Sequence, residues 1–389
     1  PYPGTPYPDT PYPGTPYPGT HWQGDPARPP AWDGTYGSAY PGYGAPPVSK
    51  PWTADPPPGT PYHRMARTGA HRWWRPLVGS VTVLVLGMGL MVGFLLVGEI
   101  VAWAVTGEGL DLSGEGDALF GNDTADVAAN LAVIALFLPV TLFVAWGVQR
   151  RRPGTLSSVA GRLRWKWMLV CSGLAIGYCI AAFAAMLVTD QFVVTESTGG
   201  DEEWVGWGRF LLPALLILLL VPFQAAAEEY LIRGWILQAV GSWTLEDARN
   251  KVGRALSVVF RTPWPGILVG SLVFMALHEY TGWGAVDIFA FAVITAWMTV
   301  RTGGLEAAIA LHVFNNLLAF LFAAALGQLD IEQGALPWEV AMVDIALMAL
   351  FAAAAIRLAR RMRVQTVTAG PAEDDTPATT AGSSPAQLP

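Results

Sequence analysis

From Leu77 to Ala355 the chain repeats one pattern, an apolar run followed by a short loop that holds the charges. A helical span of the bilayer needs about 20 consecutive apolar residues. Inside lipid, each backbone N–H and C=O must find its partner within the segment, which leaves the helix as the form such runs adopt. Eight runs qualify: Leu77 to about Val105, Val127 to Val148, Trp167 to Val188, Phe210 to about Val240, Pro265 to Leu277, Ala285 to Val300, Leu305 to Leu326 and Trp338 to Ala355. The fifth and sixth are short and are separated only by the glycine-bearing turn Thr281-Gly282-Trp283-Gly284. The expected fold is therefore all-α, a polytopic membrane bundle of about eight transmembrane helices. Only 14% of the residues are charged, against about 25% in soluble domains. That composition excludes an ordinary soluble domain, and nothing in it points to nucleic acid.

The loops sort their charges by sign. Thr106 to Asp126 carries six acids and no base. The next loop carries Arg150, Arg151, Arg152, Arg162, Arg164 and Lys166 and no acid. Asp190, Glu196, Asp201, Glu202 and Glu203 follow, then the mixed loop with Arg249, Lys251, Arg254 and Arg261. Asp330 and Glu332 come after the seventh run, and Arg357, Arg360, Arg361 and Arg363 close the eighth. This alternation obeys the positive-inside rule with both termini cytoplasmic and an even number of crossings. A bacterial plasma membrane is the expected setting, from the Ala, Arg, Gly and Trp usage and the Lys-poor loops.

Residues 1–62 are rich in Pro, Tyr and Gly and begin with four copies of a PYPGT-like unit. Such a tract is expected to form a disordered, extended cytoplasmic tail. Residues 63–76 form a basic, aromatic collar, with Arg64, Arg67, Arg72, Arg75, Trp73 and Trp74 at the membrane boundary. The transmembrane domain is expected over 77–363, and a second disordered cytoplasmic tail over 364–389. No cleavable signal-peptide pattern is visible. Cys171 and Cys179 share one apolar run and read as packing residues, too sparse for a disulfide framework or a zinc knuckle.

The chemistry concentrates in the fourth, fifth and seventh runs. Ionisable groups inside a span are costly and mark a functional interior. Glu228 and Glu229 follow the uncharged stretch Leu211 to Ala227, and Arg233 lies four residues after Glu229, the favourable order for a helical ion pair. Glu228 points about 100° away, free to face a cavity as general base or acid. Phe274 and His278 are four apart in the fifth run, and His312 and Asn316 are four apart in the seventh. The last two share a helix face and offer two donors to an oxyanion. Asn315 lies on a different face. Taken singly, the carboxylates read equally as an interfacial charge cluster, His278 as a packing residue and His312/Asn316 as polar glue between helices. Among the other ionisable residues within or beside the apolar runs, Glu279 and Glu306 are expected to orient a histidine. Glu99 and Asp344 read as residues near span ends, and Asp287 has no assigned role.

Glu228-Glu229-x-x-x-Arg233, Phe274-x-x-x-His278 and His312-x-x-x-Asn316 resemble, in order and spacing, the three motifs of the CPBP intramembrane protease family. That family includes the eukaryotic type 2 CAAX prenyl endopeptidases and the bacterial Abi and bacteriocin-immunity proteins. The resemblance covers roughly 210–326. It implies an intramembrane endopeptidase that cleaves a membrane-attached or lipidated protein or peptide near the cytoplasmic leaflet. Glu228 and His278 would activate a water, His312 and Asn316 would hold the oxyanion, and Glu229, Arg233 and Phe274 would support them.

The family is commonly called a metalloprotease, and Glu228, His278 and His312 make a Glu/His/His set suited to catalytic zinc. No HExxH sequence is present and Asn316 is a poor zinc ligand, so no cofactor is the favoured reading, with zinc on those three residues as the alternative. Two other functions compete: a proton-coupled transporter using Glu228 and the histidines as a relay, and a non-catalytic scaffold or immunity protein. The expected partners are the bilayer and a membrane protein or lipidated peptide substrate.

Overall fold

The computed structural model describes residues 51–107, 120, 122–189, 203–329 and 335–370. The repetitive tract 1–50, the C-terminal residues 371–389 and the loop acids Glu108, Asp111, Glu115, Asp117, Asp190, Glu196, Asp201, Glu202, Asp330 and Glu332 lie outside these residues. The described chain is helical, apart from the two-residue strand Ala335–Leu336, which bridges to Gly282.

The first span is α1 (Arg75–Thr106). Leu84, Val85, Val97, Ile100 and Trp103 on it are each at least 60% exposed. Apolar surface on that scale is stable only where lipid covers it, and the chain is an integral membrane protein. The second span breaks at Leu136 into α2 (Asp123–Ala135) and α3 (Phe137–Gly147). Pro139 explains the break, because it has no N–H to give the Ala135 carbonyl one turn earlier. The third span, α4 (Trp165–Thr189), is continuous.

The fourth span is 35 residues long. It runs as α5 (Trp207–Glu229), a π-helical stretch over Tyr230–Ile236, and α6 (Leu237–Gly241). The amphipathic α7 (Lys251–Phe260) follows and meets α8 (Trp264–Ala276) at a 69° bend. The remaining spans are α9 (Gly282–Thr302), α10 (Glu306–Leu326) and α11 (Trp338–Arg361).

Among the described residues seven helices are long and apolar enough to cross, or up to eight crossings when the bent α7–α8 pair counts as one. The thirteen residues of α8 rise only about 20 Å, against a hydrocarbon core of about 30 Å. Residues 277–281, between α8 and α9, are non-helical. Irregular backbone at that depth persists where protein or a cavity surrounds it. Gly282, Trp283 and Gly284, expected in a turn, instead open α9.

All the arginine-bearing loops meet at one end of the bundle. Arg164 donates to both Glu306 carboxylate oxygens, at 2.8 and 2.6 Å, and to the carbonyls of Thr302 and Gln365. Residues 51–62 and 364–370, expected in the tails, are packed here. Tyr62 is fully buried and donates to the Leu156 carbonyl. Thr368 accepts from the Thr60 amide at 2.8 Å and donates to the Pro57 carbonyl at 2.5 Å, which ties the segment before α1 to the segment after α11.

Candidate active site

Span four supplies most of the polar groups. Glu228 lies thirteen residues before Gly241, about 20 Å from the basic end of the bundle. His278 lies a similar distance along from Trp264, so the two reach comparable depth. Gln224 stands one turn before Glu228, and its side-chain amide donates to Glu228 Oε1 at 2.8 Å. The same amide accepts from Asn316 Nδ2 at 3.1 Å. Glu229 Oε1 accepts from Arg233 Nη1 at 3.0 Å, and both side chains are fully buried. The π-helical stretch begins at the residue after Glu229. Such widened turns occur mostly at functional sites, and here the stretch carries Arg233 inward.

His312, from α10, bridges the two carboxylates. Its Nδ1 lies 2.8 Å from Glu229 Oε1, and its Nε2 lies 3.4 Å from Glu228 Oε2. A carboxylate cannot donate when ionised, so Nδ1 carries a proton and donates to Glu229.

Aromatic rings wall the group in. The Arg233 guanidinium sits 4.3 Å from the Phe274 ring centre and 5.4 Å from that of Phe291. Its Nε and Nη2 have no hydrogen-bond partner, so the two ring faces provide the polar contact that those atoms lack. Phe291 also meets the His312 ring edge-on at 5.1 Å. Phe274 stands between the two histidines, 4.5 Å from the His278 ring and 6.0 Å from His312.

His278 sits just past the end of α8, with Nδ1 2.7 Å from the Phe274 carbonyl. That carbonyl accepts, which fixes the proton on Nδ1 and leaves the lone pair on Nε2. Among the described residues no hydrogen bond joins His278 to Glu228, His312 or Asn316. None of them forms a group of three or more His, Cys, Asp or Glu side chains that could hold a metal ion.

The structure thus gathers Glu228, Glu229, Arg233, His312 and Asn316 directly, and His278 through Phe274. Two members escaped the sequence reading. Gln224 was detectable as the polar residue four before Glu228, whereas Phe291 had no signal in an apolar run. Glu306 does not orient a histidine: Arg164 holds it, and its carboxylate also accepts from the Arg164 backbone amide at 2.9 Å. Glu279 is exposed. Asn315 faces away as expected, accepting from Tyr178 at 3.0 Å, and the same hydroxyl reaches Asp344 at 2.7 Å. Cys171 and Cys179 are both free thiols, with Cys171 buried in the core.

Fold and site together define a polytopic helical membrane protein with a carboxylate–imidazole–guanidinium group buried between its spans. Residues 210–318, from α5 into α10, match the family model described as Type II CAAX prenyl endopeptidase Rce1-like. The chain is also similar to the uncharacterized protein YyaK of Bacillus subtilis (strain 168), 24% identical over 208 residues. Those residues are 53% of this chain and 64% of YyaK, so the match spans less than two thirds of that relative. No solved structure matches.

Proposed function

We propose that this protein is an intramembrane endopeptidase that hydrolyses a peptide bond of a membrane-attached or lipidated protein or peptide. The observation that carries the reading is the bridging of Glu228 and Glu229 by His312 inside a buried, aromatic-walled group. The Rce1-like match over the same residues supports it.

In the proposed reaction Glu228 takes a proton from water as the water oxygen bonds to the substrate carbonyl carbon. The Nε2 lone pair of His278 orients that water. The carbonyl π electrons move to oxygen, and His312 Nε2–H and Asn316 Nδ2–H donate to the oxyanion. Collapse breaks the C–N bond, and Glu228 returns its proton to the leaving amine. Glu229 and Arg233 hold His312 in place. Glu228 faces the side chain of Gln224 and Asn316 that of the same glutamine, so the entering substrate exchanges these contacts for its own.

This route needs no metal. Full activity after chelation, in protein without stoichiometric metal, is the expected result, and loss of cleavage with removal of bound zinc would overturn it. We further propose a bacterial plasma membrane with both termini cytoplasmic, which puts the basic end of the bundle on the cytosolic side.

The decisive experiment compares the termini of membrane proteins between wild-type cells and cells carrying Glu228→Gln or His278→Ala. Removing a general base costs about 10²–10⁴-fold, so specific termini should vanish while the folded variants remain in the membrane. Termini and phenotype that survive both substitutions would leave a non-catalytic scaffold.

A further inference from the structure

A groove of about 310 Å³ opens between α1, α6 and α8, on the outside of the span that carries the carboxylates. That volume falls at the lower end of the range for ligand pockets, about 300–1,000 Å³. Pro76, Val83, Trp235, Val240, Trp243 and Val269 are among its lining residues, and the walls are almost wholly apolar. Its one side-chain hydroxyl, on Ser80, is already occupied, accepting from Trp235 Nε1 at 3.0 Å and donating to the Pro76 carbonyl. Pro76 to Val83 spans about 10 Å of helix rise, so the groove extends inward from the membrane boundary. Trp243, whose indole donates to the Trp73 carbonyl at 3.0 Å, closes the rim.

The mouth is strongly cationic. Arg75 directly precedes Pro76, and Arg72 and Arg150 lie near enough to interact with it electrostatically. Arg67 has Glu246 as a partner at 2.8 Å, but Arg72, Arg75 and Arg150 form no ion pair among the described residues. Arg75 Nη1 donates to the Ala70 carbonyl, while its Nε is buried and lacks an acceptor. His71, between these arginines, is pushed below the ordinary histidine range by burial and by Arg67, Arg72 and Arg75. The first turn of α1 has no side-chain cap. An apolar slot below and an uncompensated cluster of guanidinium groups above match one kind of molecule, a lipid with an anionic headgroup.

We infer that this groove binds one anionic glycerophospholipid of the bilayer, with an acyl chain along Trp243, Val269 and Val273 and its phosphate against Arg72 and Arg75. The inference is independent of the hydrolytic reading, because no residue of the candidate active site contacts the groove's mouth.

Native mass spectrometry of the full chain in detergent tests it, with phosphatidylglycerol and phosphatidylcholine as probes. The wild type should retain one phosphatidylglycerol in clear preference to phosphatidylcholine. Each arginine near an anionic surface contributes about fivefold, so Arg72→Gln with Arg75→Gln should weaken retention about thirtyfold and erase the preference. Val269→Trp, which fills the groove from α8, should abolish retention of either lipid in folded protein. Retention unchanged by the arginine pair, equal retention of the two probes, or retention of a neutral isoprenoid alcohol in place of both would overturn the proposal. If Val269→Trp does not fold, the arginine pair decides alone.

Discussion

Gln224 joins two groups that the sequence places 88 residues apart, donating to Glu228 and accepting from Asn316 through one amide. A carboxylate held by such a bond has one oxygen fixed and the other free to face His312. A hydrogen bond to a charged group contributes about 1.5–3 kcal/mol. Gln224→Leu should therefore lower kcat about tenfold to a hundredfold while KM stays close to wild type, since the amide positions the base and does not grip substrate. An unchanged kcat would remove Gln224 from this role. At this scale the sequence was legible where spacing carried the chemistry: Glu229 and Arg233 pair across one turn as their separation predicts. Gln224 was legible only to a reading that counts neutral polar residues in apolar runs. Phe291 was not legible at all, because its role depends on the angle at which α9 crosses α8 and α10. Glu306 misled for the same reason: its partner Arg164 is 142 residues away, across the end of the bundle.

The elements that hold the site depend on close approach of backbones. Gly266 and Gly270 lie four apart on α8, a small-residue face of the kind that lets membrane helices pack tightly. A Cβ at Gly266 would stand 2.7 Å from the Leu237 carbonyl oxygen, a backbone atom that cannot yield easily. A Cβ at Gly270 would meet Ile232 at ordinary contact distance, 3.4 Å or more. Gly266→Ala should thus cost about 1–3 kcal/mol by overpacking, whereas Gly270→Ala should be near neutral, with a helix-propensity gain of up to about 1 kcal/mol in its favour. Thermal midpoints in detergent distinguish the two, and equal destabilisation would show that the α6–α8 crossing is not the tight one. The apolar runs predicted the spans because length and hydropathy are local properties. The π-helical stretch was not predicted, because it follows from where the buried polar groups must meet, whereas the non-helical residues 278–281 fall in the gap between the fifth and sixth runs. Pro139 was the one local sign of a broken span.

At the scale of the whole molecule, the segment before α1 and the segment after α11 close the basic face. Composition assigned 51–62 and 364–370 to tails, and no local signal announces that Thr60 and Thr368, 308 residues apart, hydrogen-bond to each other. Within this closure His63 is buried, with Nε2 near the Arg261 carbonyl at 3.4 Å, and Gly241 leaves no room for a Cβ against the His63 backbone. Burial pushes the imidazole down to about 4, with Arg64 adding repulsion, although the carbonyl favours the charged form. The unfolded chain takes up this proton near pH 6.5. Between about 6.5 and 4 the unfolded state therefore binds more protons at this site, and stability falls as the pH falls. Above about 6.5 the residue contributes no slope. The loss reaches about 3 kcal/mol by pH 4. His63→Gln, which keeps a polar side chain that does not titrate, should flatten the decline of the thermal midpoint between pH 6.5 and 4.5 relative to wild type, with the two curves parallel above pH 7. If the curves are parallel throughout, the closure of the basic face does not hold His63 neutral, and the packed position of residues 62–64 against Gly241 and Arg261 is wrong.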